Sequence, residues 1–126
     1  MNLRFAPLLT VIMLTVSLSS GIAQTEQEAP YDDKLNRLAE VMGSVHYLTN
    51  LCGEPSNTWR DEMQRMLSLE SPEPNRRSRL IASFNRGFRS FDSVYNQCTP
   101  QAETAVARYI DEGVALSTEI SARFGE

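Results

Sequence analysis

Side chains that carry chemistry are scarce in this chain of 126 residues. It holds one histidine (His46), two cysteines (Cys52 and Cys98), one tryptophan (Trp59) and one lysine (Lys34). A zinc site wants three or four ligands at recognisable spacing, and a lone histidine with two distant cysteines does not supply them. There is no CxxC redox pair and no CxxCH haem attachment. No serine sits in a GxSxG elbow, and a serine nucleophile would have only His46 as its base. The carboxylates are many, but none is marked as a pair at glycosidase separation. Met42, Met63 and Met66 offer thioethers that could hold copper, yet methionine at helical spacing reads first as core filling. These absences predict a non-enzymatic protein with no catalytic residues, no metal and no cofactor.

Long apolar runs are also scarce: there is one, at the start. Arg4 is the only charged residue before Glu26, and Phe5 to Leu18 is almost wholly apolar. That run is short for a membrane span, which needs about 20 apolar residues, and suits a signal-peptide core. Ser19, Ser20 and Gly21 break it, and Gly21-Ile22-Ala23 places small residues where a signal peptidase reads them. The expected organisation is a signal peptide over 1–23, cleaved after Ala23, a polar and acidic leader over 24–30, and a helical domain over 31–126. No later run is long enough to span a bilayer. The mature chain is therefore expected to be exported and soluble.

In an oxidising compartment two cysteines read most simply as one disulfide. Four helices are predicted around it. Tyr31 to Cys52 carries Leu35, Leu38, Met42, Val45 and Thr49 at three- and four-residue steps, with Asp32 and Asp33 at its positive end and Gly53 as a left-handed cap. Thr58 to about Leu69 has Trp59, Met63, Met66 and Leu67 on one face, and Thr58 with Asp61, or Asn57, as its cap. Asn75 to about Cys98 places Leu80, Ile81, Phe84, Phe88, Phe91, Val94, Tyr95 and Cys98 within roughly 140° of arc. Thr99-Pro100 opens the last helix, which runs to about Phe124 on a stripe of Ala102, Val106, Tyr109, Ile110, Leu116, Ile120 and Phe124.

Short links between four helices predict an all-α, small up-and-down four-helix bundle. Helices one and three then run the same way, so their cysteine ends meet and the disulfide staples the bundle. Closing a loop of this length contributes on the order of 4 kcal/mol in the chain-entropy model. Gly87 and Gly113 fall within apolar stripes, where glycine costs about 1 kcal/mol in a helix, so close helix packing is expected there, or else a cleft.

The formal charge is −4, and −5 without the signal peptide and its Arg4. A mildly acidic chain is a poor general binder of nucleic acid. The charge is unevenly spread, however. Arg76, Arg77, Arg79, Arg86 and Arg89 lie between Pro74 and Phe91 with no acid among them. Arg79, Arg86 and Arg89 share roughly 80° of arc opposite the aromatic stripe. Guanidinium recognises carboxylate and phosphate in a bidentate fork, so this row is a candidate anion-binding face as well as a solvated one. Trp59-Arg60 is a second candidate contact surface. His46, Tyr47 and Tyr109 are candidates for a pocket in the bundle core.

Gly43-Ser44-Val45-His46-Tyr47-Leu48, Leu51-Cys52-Gly53, Trp59-Arg60, Phe84-Asn85-Arg86-Gly87-Phe88, Tyr95 with Cys98-Thr99, and Arg108-Tyr109 together resemble a family of small exported alphaproteobacterial proteins of unknown function. The resemblance covers about Leu35 to Gly113. It implies a Gram-negative periplasmic setting and carries no activity, ligand or site. The function expected is thus that of a periplasmic helical protein binding an envelope partner, either a protein or an anionic wall component such as peptidoglycan. A small-ligand carrier with a pocket in the bundle core is the alternative.

Overall fold

The computed structural model describes residues 28–125, and the expected signal peptide lies outside them. Four helices follow in order: α1 (Asp32–Cys52), α2 (Thr58–Glu70), α3 (Pro74–Asp92) and α4 (Pro100–Phe124). The described residues contain no strand, and no helix among them is long and apolar enough to cross a membrane. The protein is a small all-α bundle stapled by one disulfide, as the periodicity predicts.

Residue pairings give the directions. Asp32 meets Arg76 and Glu40 meets Arg86, so α1 and α3 climb together. Lys34 meets Glu119 and Arg37 meets Glu112, so α4 descends. Tyr31 meets Glu70, so α2 descends as well. The order is up, down, up, down, but α1 is a hub. It makes the substantial interfaces with α3, α4 and α2. Its sequence explains this role. Leu35, Ala39, Val41, Met42, Val45 and Leu48 are all buried, which is more than one stripe, so α1 has apolar side chains facing every neighbour.

The α1–α3 contact is the closest. A Cβ at Gly43 would stand 1.9 Å from the Phe84 carbonyl oxygen, and one at Gly87 would stand 1.9 Å from that of Glu40. Only glycine lets the two backbones approach so far. Ser44 and Ser83 continue the small-residue seam; the Ser83 hydroxyl donates to Asn36 Oδ1 at 3.2 Å. Gly87 thus serves close packing, with Gly43 as a partner that periodicity alone does not single out. Gly113 packs more loosely, where a Cβ would meet Val41 Cγ1 at 3.3 Å.

Several local expectations are corrected. The third helix ends at Asp92, not near Cys98, and 93–99 turns back toward α1. Two constraints pull it back: Cys98 bonds Cys52 with Cα atoms 4.9 Å apart, and the Tyr47 hydroxyl donates to the Tyr95 carbonyl freed by the turn. Val94 consequently stays 68 % exposed, and Ile81 is also exposed. Gly53 is extended rather than left-handed, since it leads into the stretched link 53–57. The left-handed cap is Ser71, whose backbone N–H donates to the Leu67 carbonyl. Asn57 occupies the N-cap of α2 without a side-chain bond, and Thr58 accepts from Ser56 instead of closing a capping box. Thr99 does cap α4, accepting from Ala102 N at 3.1 Å, with Pro100 in the first turn.

Candidate functional site

The hub arrangement leaves a gap. α2 and α4 both pack on α1 and do not close on each other, so the apolar stripe of α4 is only partly covered. Between them runs an open groove of about 710 Å³. Leu38, Val41, Met42 and Val45 of α1 form its floor. Trp59, Met66 and Leu69 form one wall, and Tyr109, Ile110, Gly113 and Val114 form the other. Glu62 and Arg65 edge the first wall, and Ser117 and Thr118 the second. Leu69 is 79 % exposed and Val114 62 % exposed, large values for apolar residues beside a binding-sized cavity.

The sequence-predicted residues divide around α1. Tyr109 lines the groove, with the guanidinium carbons of Arg37 and Arg108 lying 5.6 and 5.5 Å from its ring centroid. Trp59 is half-buried, packs against the core of Leu35, Met42, Met63 and Leu67, and lines the groove too. Arg60 beside it is exposed. His46 and Tyr47 do not line this groove. His46 is buried with its ring centroid 5.9 Å from those of Phe84 and Phe88, and Tyr47 packs edge-on to Phe88 at 5.2 Å. Burial, helped by the positive charge of Arg60, holds the His46 pKa below its ordinary 6.5. Among the described residues its side-chain hydrogen-bond contact is Asn50 Nδ2, at 3.5 Å from Nδ1. Cys52 and Cys98 are joined in the disulfide.

The arginine row is largely tied down. Arg76 is buried and donates to Asp32 Oδ1 through Nε at 2.8 Å and Nη2 at 2.6 Å, and to Glu70 Oε2 at 2.8 Å. Tyr31 donates to the same Glu70 oxygen at 3.0 Å, so this cluster joins the starts of α1 and α3 to the end of α2. Arg79 reaches Glu28 at 3.6 Å, and Arg86 reaches Glu40 at 3.0 Å. Arg77 and Arg89 are exposed, with no carboxylate at ion-pair distance among the described residues.

No group of three or more histidine, cysteine or acidic side chains among the described residues could hold a metal ion. The groove offers apolar surface edged by Glu62, Arg65, Glu70, Ser117 and Thr118. Of the α4 stripe read in the sequence, Tyr109 and Ile110 line the far wall of the groove, beside the exposed Val114, which that stripe did not include.

No curated protein and no solved structure matches the chain. A family model does match, over residues 30–124, which is nearly all of the described bundle, and the chain belongs to that family, DUF2385, a family of proteins of unknown function.

Proposed function

We propose that this protein is a non-catalytic binding protein of the cell envelope, exported and cleaved after Ala23, and that the α2–α4 groove is its principal binding surface. The observation that carries this reading is the groove itself: about 710 Å³ of largely apolar space, open to solvent, between α2 and α4. An apolar guest would cover Leu69, Val114 and the half-buried Trp59 and Tyr109. Burying such side chains stabilises by about 1.5–3 kcal/mol each when complete. The disulfide supports an oxidising compartment.

Trp59 is the only tryptophan of the chain and stands in the groove wall, so it reports on occupancy without a label. Titration of the purified mature protein with N-phenyl-1-naphthylamine should raise the dye's emission and quench Trp59 by energy transfer. Val114→Glu should weaken both effects while leaving the helical spectrum unchanged. Dye emission that does not respond to the protein would sink the groove as a binding site.

A second reading rests on the exposed Arg89, which with Arg79 and Arg86 gives α3 an outer face for anionic wall polymers or acidic partners. Co-sedimentation with peptidoglycan sacculi at low and high salt, beside an Arg79/Arg86/Arg89→Ala variant, tests it. Salt-sensitive binding lost in the variant would support it; no binding at low salt would remove peptidoglycan as a target.

A further inference from the structure

Building on the groove as a binding site, we propose that its occupant is an amphipathic helix of a partner protein, about three turns long. Three features point to this guest. The first is the open side. A guest lying on α1 between α2 and α4 keeps its outer side in water, as the exposure of Leu69 and Val114 at the two lips shows. A hydrocarbon chain is apolar all round and would leave one side wet, whereas sites for small apolar molecules enclose most of the guest. An amphipathic helix has one apolar stripe and one polar back, which matches a trough.

The second feature is the length and direction of the walls. Trp59 to Leu69 spans about 15 Å of helix, and Tyr109 to Thr118 about 14 Å, at the usual rise per residue. Both walls run against α1 and therefore alongside each other, which leaves a helix-shaped seat above α1. A seat about 15 Å long and one helix diameter, about 10 Å, wide has a footprint on the order of 150 Å², well below the ~800 Å² per partner that a stable dimer buries, so a second copy of the chain is a poorer fit.

The third feature is the charge on the lips. Glu62 and Arg65 edge the α2 wall, one turn apart, with Glu70 at its end already held by Arg76 and Tyr31, and the Ser117 and Thr118 hydroxyls edge the other. Glu62 and Arg65 meet only at 3.4 Å, with both side chains exposed, so little is lost when each turns to a guest. A helix with a base facing Glu62 and an acid facing Arg65, flanking its apolar stripe, is complementary to this edge. Met42 and Met66 in the lining are unbranched and adapt to the side chains presented.

The test uses the full chain in its native host, with Leu69→benzoylphenylalanine as a photocrosslinker in the lip. Irradiation and peptide mapping identify the segment held there. A synthetic peptide of that segment is then titrated into purified mature protein, following Trp59 emission and circular dichroism. The expected segment carries apolar residues at i, i+3, i+4 and i+7 and gains helix on binding. Val114→Glu should weaken it at least about tenfold. Arg65→Glu should also weaken it, with recovery when the facing acid of the peptide is reversed. A lipid adduct, an adduct to a second copy or to the chain's own residues 5–18, a segment bound in extended form, or no adduct would each overturn the proposal. The dye titration separates the two levels: dye bound without a helical adduct ends the helix proposal alone, and dye unbound ends both.

Discussion

Two glycines and one histidine set the tolerances of this bundle. A Cβ added at Gly43 or at Gly87 would stand 1.9 Å from a backbone carbonyl oxygen of the facing helix, and backbone cannot swing aside as a side chain can. Gly43→Ala and Gly87→Ala should therefore each lower stability by about 3 kcal/mol or more, in spite of alanine's better helix propensity. Urea unfolding followed by circular dichroism measures this, and a stabilised Gly43→Ala protein would refute the close crossing. His46 makes a different prediction. Burial beside Phe84 and Phe88 lowers its pKa from 6.5, so the unfolded chain takes up the proton before the folded one. Stability is then highest above the unfolded pKa and falls as pH drops below 6.5 toward the lower folded value. His46→Phe should flatten that part of the pH profile of the unfolding midpoint.

Helix boundaries show where sequence was legible and where it was not. Thr99-Pro100 predicts the start of α4 because the cap is a local interaction within three residues, and the structure carries it. The end of α3 is not local. Nothing in Ser93 to Gln97 forbids helix, and the turn there follows from Cys98 reaching Cys52 and from Tyr47 holding the Tyr95 carbonyl, both long-range contacts. The groove was missed for a related reason. The α4 stripe of Val106, Tyr109, Ile110 and Leu116 is truly apolar, but periodicity says which face is apolar and not whether another helix covers it. The junction of Asp32, Arg76 and Glu70 was hidden in the arginine run, where Arg76 looks like its neighbours. It is the one arginine of the run that is buried, and it joins three helix ends. Arg76→Ala leaves Asp32 buried without its cation and should cost about 3–5 kcal/mol, while Arg76→Met, with Asp32→Asn to remove the orphan charge, should recover much of that loss. Thermal melts of the three proteins decide this, and a harmless Arg76→Ala would show the cluster to be ornamental to the fold.

At the scale of the molecule, α1 carries the interfaces and the disulfide fixes the loop that leads into α4. Cys52 ends α1, Cys98 stands just before the Thr99 cap, and the 46-residue separation encloses all of α2 and α3. Closing that loop removes unfolded-state entropy worth about 4 kcal/mol in the chain-entropy model, a large share of the stability of a domain this small. The bond also acts on the groove indirectly. Leu48, Ala102 and Ala105 form a small core beside it, which seats the first turns of α4 against the end of α1. Farther along, α4 is held by Arg37–Glu112 and Lys34–Glu119, and the first is a two-pronged pair at 2.6 and 2.9 Å that keeps the Glu112 carboxyl below its ordinary pKa. The groove wall thus has one covalent anchor and two ionic ones. Cys52→Ser/Cys98→Ser should lower the urea midpoint by the equivalent of about 4 kcal/mol. If the protein still folds, dye binding in the groove should persist at low salt, because Arg37–Glu112 still holds the wall that bears Tyr109 and Val114. Adding Glu112→Gln and Glu119→Gln to the cysteine pair should then loosen α4 and weaken dye binding while the α1–α3 crossing survives as residual helix. Dye binding that vanished on removal of the disulfide alone, in a protein still folded by circular dichroism, would show that the covalent anchor by itself sets the width of the groove.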